Sequence, residues 1–100
     1  MVVEQTEEFK RWLQSIKDVP TKARLLARLR KVTLGSLGDH KRLSEDVWEL
    51  REYFGPGWRM YYTEKDGRII LMLGGGDKKS QSKDIAAAEQ LAKELKDGQD

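Results

Sequence analysis

The stretch that decides the fold reads VWELREYFGPGWRMYYTEKDGRIILML and runs from Val47 to Leu73. Apolar and polar side chains alternate along it, which is typical of β-strands. Two turn sequences, Gly55-Pro56-Gly57 and Asp66-Gly67, divide it into three segments, and the second is a strong hairpin signal. We therefore predict an antiparallel meander with strands over residues 47–54, 58–64 and 68–73.

Helical spacing dominates the residues before the meander. In the first predicted helix Thr6 is a suitable N-cap, and the apolar side chains that follow are Phe9, Trp12, Leu13 and Ile16. A second helix starts near Asp18, tolerates Pro20 in its first turn and ends at Gly35. Its apolar stripe consists of Leu25, Leu26, Leu29 and Val32. The short start at Val2 and Val3 can form an edge strand.

A third helix is predicted beyond the meander. Gly74-Gly75-Gly76 frees the backbone after the last strand, and Ser80 or Ser82 caps the helix. Its apolar positions are Ile85, Ala88, Ala92 and Leu95. Residues 35–46 contain only turn signals. We therefore predict a single α+β domain over residues 1–100, with its core at about 6–95 and all three helices on one face of the small antiparallel meander sheet.

Composition excludes several classes of protein. One hundred residues with 38% apolar content supply one hydrophobic core. With no Cys and one His, a disulfide framework, a thiolate metal site and a multi-His metal centre are excluded, and we expect no metal and no cofactor. The longest apolar run, Ile69 to Leu73, is too short to cross a bilayer, and the first residues lack the pattern of a secretory signal. A cytoplasmic location without membrane contact is expected.

Two arginines of the meander are expected to lie side by side on the open face of the sheet. The residues predicted to point towards the helices are Trp48, Leu50, Met60 and Tyr62. Arg51 and Arg59 then emerge on the other face, which also carries Glu49, Tyr53 and Tyr61. Like charges on neighbouring strands cost about 0.2–1 kcal/mol unless an anion or a carboxylate lies between them. Two interpretations stay open: surface arginines tethered by Glu49 and Glu52, or a site for an anion.

The glycine-rich segment at residues 74–79 is a second basic feature. Free glycine amides, Lys78, Lys79 and the start of the third helix can together hold a phosphate, although an ordinary turn is the alternative and the P-loop spacing is absent. A recess at this place would stack a nucleobase on an aromatic side chain while basic side chains contact phosphates. Tyr53 and Tyr61 are the candidates for stacking. Arg51, Arg59 and Lys78 are the candidates for the phosphate contacts. Lys79 and the basic face of helix two add salt-sensitive attraction for RNA.

The whole chain, read in order, resembles a type II toxin of the RelE/ParE superfamily, closest to its HigB-like, phage-derived addiction module killer branch. The likeness spans about residues 6–95. Its motifs are Gly35-Ser-Leu-Gly-Asp, Val47-Trp-Glu-Leu-Arg51, Gly55-Pro-Gly-Trp-Arg59-Met-Tyr-Tyr and Leu73-Gly-Gly-Gly-Asp-Lys78-Lys-Ser-Gln81, leading into Asp84-Ile85-Ala86. The resemblance implies a toxin that enters the ribosomal A site and cleaves translated mRNA. It also implies a cognate antitoxin, in such modules a small helix-turn-helix protein encoded next to the toxin.

The resemblance also implies roles for single residues. Arg59 matches the arginine that contacts the reacting phosphate, Arg51 falls where a basic residue commonly precedes it, and Lys78 where one follows the last strand. Gln81 is typical of the branch and is carried over as a substrate contact. Two positions depart from the pattern. Glu49 stands where well-known ribonuclease members have a lysine, and Asp84 roughly where they have a catalytic tyrosine.

Three functions therefore remain open at this point. A ribosome-dependent endoribonuclease is favoured by the basic positions 51, 59 and 78. Arginine binds phosphate through its planar fork but is not a base at neutral pH, so proton transfer is assigned to Glu49, with Lys78, water and ribosomal groups as alternatives. His40 is interpreted as a surface or capping residue. The other two functions are a ParE-like inhibitor of DNA gyrase and a non-catalytic module that binds nucleic acid or protein.

Overall fold

The structure is a computed structural model that describes residues 1–98. Within these residues it contains three helices and five strands, which confirms the α+β class. The elements in chain order are β1 (Val2–Gln5), α1 (Glu7–Ser15), α2 (Val19–Thr33), β2 (His40–Arg42), β3 (Trp48–Arg51), β4 (Arg59–Lys65), β5 (Ile69–Gly76) and α3 (Gln81–Asp97). No helix in the described part of the chain is both long and apolar enough to cross a membrane.

The strands form one sheet in the order β1-β5-β4-β3-β2. The predicted meander is confirmed, because β3, β4 and β5 are antiparallel neighbours and Arg51 lies directly opposite Arg59. β1 pairs with β5 in parallel, so the Val2-Val3 edge strand is also present. The second edge strand, β2, was not predicted from residues 35–46. Its three residues are too few to show an alternating pattern.

Capping residues fix the helix starts as expected. The hydroxyl of Thr6 accepts from the Phe9 amide at 3.1 Å at the start of α1. The carboxylate of Asp18 accepts from the Thr21 amide at 3.1 Å at the start of α2. Ser80 occupies the N-cap position of α3, but its hydroxyl caps no amide of that helix and donates to the Asp84 carboxylate instead. The side-chain caps of Thr6 and Asp18 satisfy amides that have no partner within the helix, each worth roughly 1 kcal/mol.

α1 and α2 cover one face of the sheet. Their buried side chains pack against the face of β3, β4 and β5 that the alternation predicted, and the members of this core are Phe9, Leu13, Ile16, Leu25, Leu29, Val32, Leu50, Met60, Tyr62, Ile70 and Met72. Burying each large apolar side chain contributes roughly 1.5–3 kcal/mol. One prediction here is wrong. Leu26, assigned to the apolar stripe of α2, is 45% exposed.

α3 packs on the opposite face of the sheet, so the prediction that all helices share one face is wrong. Tyr61 lies between Met60 and Tyr62 in β4, and its side chain therefore points away from theirs. It belongs to a separate cluster with Val47, Leu73, Ala88 and Ala92. Because this face carries apolar residues of its own, it needs a cover, and the alanine side of α3 supplies it. The expected open face is thus largely closed.

The three glycines after Leu73 belong to the sheet and do not form a free loop. They are the last residues of β5 and pair with β4, where Gly76 lies opposite Arg59. A Cβ on Gly75 would lie 2.5 Å from the Trp12 ring, and a Cβ on Gly76 would overlap the carboxylate of Asp84. These glycines therefore let α1 and α3 approach the sheet closely from its two sides.

Candidate anion site at the end of the central strands

The two arginines of the meander meet at the end of the β3–β4 pair, and each is held by a protein acceptor. Arg59 is only 6% exposed. Its Nη1 donates to the main-chain oxygens of Glu52 and Trp58, both at 3.0 Å. Arg51 donates from Nη2 to the carboxylate of Asp39 at 2.9 Å. The guanidinium groups are therefore oriented before any ligand binds.

Each of these arginines also keeps an unused donor. Among residues 1–98, the buried Nε atoms of Arg51 and Arg59 have no hydrogen-bond partner. Leaving a buried donor of a charged group unsatisfied costs at least about 1–3 kcal/mol. An anion that accepts from these donors would recover that cost. This supports the anion-site interpretation of the arginine pair.

The carboxylate that tethers Arg51 is Asp39, so the interpretation in which the Glu49 and Glu52 side chains hold the two arginines is wrong. Hydrogen bonding from the Tyr53 hydroxyl and then from Arg51 lowers the pKa of Asp39. The same bond to Asp39 raises the pKa of Tyr53. Asp39 lies in the turn-rich segment before β2, and no local pattern links it to Arg51. Only the β2–β3 pairing brings them together.

Tyr53 and Lys78 complete the exposed part of the site. The exposed ring of Tyr53 lies 5.8 Å from the guanidinium carbon of Arg59. A Cβ placed on Gly57 would lie 3.4 Å from Lys78 Cβ and 3.7 Å from Arg59 Nη1, so Lys78 and Arg59 flank the same glycine. One aromatic face and several positive charges thus converge at the turn between β3 and β4. This combination is suited to single-stranded nucleic acid.

The predicted phosphate cradle at residues 74–79 is already filled by the protein. The carboxylate of Asp77 accepts from the amides of Lys79 and Ser80 at 2.9 and 3.1 Å. Asp84 accepts from the hydroxyl of Ser80. The Asp77 carboxylate therefore occupies the amides of Lys79 and Ser80 directly before α3. Lys79 is exposed next to this turn and is available only as a positive side chain.

Two other predicted site residues, Glu49 and Tyr61, lie beneath α3, and a third, Gln81, is the first residue of that helix. Glu49 is 2% exposed and accepts from the side-chain amide of Gln81 at 3.3 Å. Tyr61 is fully buried, and its hydroxyl has no partner among residues 1–98. Burial, followed by the charges of Glu49 and Asp84, raises the pKa of Tyr61. The structure thus places Glu49, Tyr61 and Gln81 at α3, and Arg51, Tyr53, Arg59 and Lys78 at the end of the β3–β4 pair.

Arg28 on α2, like Asp39, lies at this site but was not singled out as a site residue. It is 8% exposed, and its guanidinium donates to the main-chain oxygens of Leu37, Asp39 and Arg51 and to the carboxylate of Glu52. It therefore holds the segment of Arg51 and Glu52, and the main-chain oxygen of Glu52 in turn accepts from Arg59. The sequence did indicate that Arg28 is buried, because position 28 shares the buried face of its helix with Leu25, Leu29 and Val32.

The remaining chemistry-bearing side chains lie outside this group. His40 is the first residue of β2 and is exposed, and its Nδ1 lies 2.9 Å from the Gly38 oxygen, so its prediction as a surface residue is confirmed. No group of three or more His, Asp or Glu side chains in residues 1–98 could hold a metal ion.

Comparison with known proteins identifies relatives of this chain. Residues 11–96 match the family model described as phage derived protein Gp49-like (DUF891). An uncharacterized protein of Haemophilus influenzae is 38% identical over 93 residues, covering 93% of this chain and 94% of that protein. The family is associated with toxin–antitoxin systems. Because the match covers most of the chain and carries the strands of the site, the protein belongs to the Gp49-like family of phage-derived proteins.

Proposed function

We propose that this protein is the toxin of a type II toxin–antitoxin module and that it cleaves mRNA on the ribosome. Membership of a toxin–antitoxin-associated family supports the first part. The geometry around Arg59 supports the second. A cognate antitoxin, the ribosome and mRNA are the partners in this proposal, and Arg51, Arg59 and Lys78 are the residues that contact the phosphate.

The observation that carries the proposal is the buried, fixed guanidinium of Arg59 with a free Nε. Cleavage at a 2′-hydroxyl develops extra negative charge on the phosphate, and donors that are oriented in advance stabilise it without reorganisation. Nη1 is used by two main-chain oxygens, so Arg59 cannot swing away from the site. Arg51 across the strand pair and Lys78 beside Gly57 add charge, while Tyr53 can stack on a base.

Glu49 is assigned as the base that takes the 2′-hydroxyl proton while the 2′-oxygen attacks phosphorus. The P–O5′ bond breaks, and the leaving 5′-oxygen takes a proton from Lys78 or water. The carboxylate of Glu49 lies on the same face of β3 as Arg51, two residues away, and is bound by Gln81 at 3.3 Å. Because Glu49 is buried, the ribose must enter beside the first turn of α3, where Gln81 is the first helical residue. Gln81 is therefore a proposed substrate contact at the entrance, and Lys79 and Tyr61 are the more distant members of the site.

Arg59→Lys is the variant that tests the proposal, because it keeps a positive charge and removes the planar fork. Arg59→Ala is less informative, since it would also remove packing from a buried position. Expression of the wild-type protein in bacteria should arrest growth and create mRNA 5′ ends within codons. For Arg59→Lys we expect about a hundredfold less cleavage. The matched control Arg68→Lys, at an exposed position before β5, should cleave like the wild type.

Undiminished cleavage by a folded Arg59→Lys protein would refute the assigned site. Growth arrest with a gyrase-dependent DNA-damage response and intact mRNA would refute the ribonuclease and identify a gyrase inhibitor instead. Burial of Glu49 and Tyr61 favours one further candidate, a non-catalytic module that binds nucleic acid or protein through the residues at the end of the β3–β4 pair. That candidate predicts binding of RNA without growth arrest and without new mRNA ends.

A further inference from the structure

α2 exposes an apolar stripe that the fold of this chain leaves unused. Val19 is 77% exposed, Leu26 45% and Leu34, at its C-terminal cap, 79%. Val19, Ala23 and Leu26 follow each other at the i, i+4, i+7 spacing, so they lie on one side of the helix. The buried side chains of α2, Leu25, Leu29 and Val32, occupy the other side. The stripe therefore faces away from the sheet.

A shallow surface groove runs along the start of this stripe. It has a volume of about 210 Å³, and its lining residues are Ile16, Lys17, Val19, Lys22, Ala23 and Leu26. Its floor is aliphatic and its charged side chains are both lysines. Single exposed apolar residues are ordinary, but a row of them at helical spacing that borders a groove is typical of a surface that receives an amphipathic helix.

The charges around the stripe are uniformly positive. Val19–Thr33 contains five basic residues and no acidic one. Two of them are engaged within the protein, because Arg28 pairs with Glu52 and Arg24 lies 3.8 Å from the centre of the Phe54 ring. Within the described residues, Lys22, Arg30 and Lys31 take part in no salt bridge. Asp18 directly precedes the helix in the sequence, and its carboxylate is used to cap the helix at Thr21.

We propose that this stripe, defined as Val19, Ala23, Leu26 and Leu34, is the docking surface for an acidic amphipathic helix of the antitoxin. Aliphatic side chains of that helix would fill the groove, and its flanking carboxylates would meet Lys17, Lys22 and Arg30. A second copy of this chain is a poor occupant, since it would place Lys22, Arg30 and Lys31 of one α2 against the same basic residues of the other. RNA would satisfy the lysines and leave the aliphatic side chains without a partner.

The length of α2 sets the size of the occupant. Fifteen residues give a helix of about 22 Å, so a partner helix of about four turns would cover the stripe from Val19 to Leu34. This surface is separate from the candidate anion site. α2 lies on the sheet face that holds Leu50 and Met60, whereas the side chains of Arg51 and Arg59 project from the opposite face. A helix on α2 would therefore leave the arginines uncovered.

The proposal rests on the proposed function, because the partner is the antitoxin. The test uses this protein with the protein encoded by the reading frame next to its gene, purified as a complex. Leu26→Glu should weaken the complex about a hundredfold, since it places a carboxylate in the apolar groove facing an acidic helix. Lys22→Glu should weaken it about tenfold and reduce its salt dependence. The matched control is Ala86→Glu, at an exposed position of α3, which should bind like the wild type.

Different outcomes separate a wrong surface from a wrong function. If toxicity is seen and Leu26→Glu and Lys22→Glu bind and are neutralised like the wild type, the docking surface is refuted and the toxin remains. If the neighbouring protein forms no complex with a non-toxic wild type, both proposals fail. Two further measurements exclude other occupants. Binding to phosphatidylglycerol vesicles that is lost in Leu26→Glu would identify a membrane as the occupant of the stripe and refute the antitoxin. Dimerisation in sedimentation experiments that is lost in Leu26→Glu would identify a second copy of the chain instead.

Discussion

Arg28 on α2 and Glu52 after β3 form an ion pair, with Arg28 Nη1 2.8 Å from the Glu52 carboxylate. The main-chain oxygen of the same Glu52 accepts from Arg59. Arg28 also donates to the main-chain oxygen of Asp39 at 2.6 Å, and the Asp39 carboxylate holds Arg51. One nearly buried guanidinium thus lies behind both arginines of the candidate site and connects α2 to the ends of the central strands.

Arg28→Gln should destabilise the protein by about 2–4 kcal/mol, because it leaves Glu52 and several main-chain oxygens without their donor. Urea unfolding followed by circular dichroism measures the change in unfolding free energy. The matched control is Arg24→Gln on the same helix. Arg24 is exposed and stacks on Phe54, so its loss should cost less than about 1 kcal/mol. Equal effects of the two substitutions would contradict the assigned role of Arg28.

Gly75→Ala and Gly74→Ala should differ strongly although both change a glycine at the end of β5. An added methyl group at Gly75 would meet the Trp12 ring at 2.5 Å, whereas nothing lies within 4 Å at Gly74. We expect a loss of about 1–3 kcal/mol for Gly75→Ala and a change within about 0.5 kcal/mol for Gly74→Ala. Thermal unfolding of the two variants measures this. Similar midpoints would show that Trp12 moves aside freely.

Asp39→Asn should destabilise the protein at neutral pH and lose this effect in acid. The folded-state pKa of Asp39 lies below the ordinary value of 3.8 because of Tyr53 and Arg51. A lowered folded pKa contributes stability above the unfolded pKa, and that contribution disappears as the pH falls through the folded pKa. The difference between wild type and variant in urea unfolding should therefore shrink below about pH 4. A difference that does not change with pH would contradict the charge pairing.

Tyr62→Phe should make the protein more resistant to alkali. Burial, followed by the charge of Glu64, raises the pKa of Tyr62 to about 12. An unfolded tyrosine ionises near pH 10, so a raised folded pKa stabilises the protein below that value and ceases to do so as the pH rises towards the folded pKa. The wild type should lose up to about 2 kcal/mol more than Tyr62→Phe between pH 9 and 12. If the unfolding free energies of wild type and Tyr62→Phe fell equally with pH, the raised pKa of Tyr62 would be contradicted.

Local patterns in the sequence were sufficient for the three helices and for four of the five strands. Alternation and two turn sequences placed the β3–β5 meander and the Arg51–Arg59 register, because pleat and hairpin geometry depend on neighbouring residues. Thr6, Asp18 and Ser80 marked the starts of the helices for the same reason. β2 escaped prediction, since three exposed residues are stabilised as a strand only by their pairing with β3.

The candidate site was predictable only in part. Arg51, Arg59, Tyr53 and Lys78 do converge, as their positions beside the strands and turns indicated. Glu49 and Tyr61 share their face of the sheet, yet α3 buries them. Asp39 and Arg28 entered the site through contacts between segments 12 and 23 residues apart in the chain. No local pattern encodes such contacts.

By itself, the sequence determined an α+β domain, a three-stranded meander and a pair of arginines on neighbouring strands, because these depend on spacing and on the local preferences of the backbone. Only the tertiary structure decided which face of the sheet α3 covers. Both faces carry apolar side chains, Met60 and Tyr62 on one and Tyr61 on the other, so alternation could not choose between them. Packing made that choice, and with it buried Glu49 and Tyr61 beneath α3.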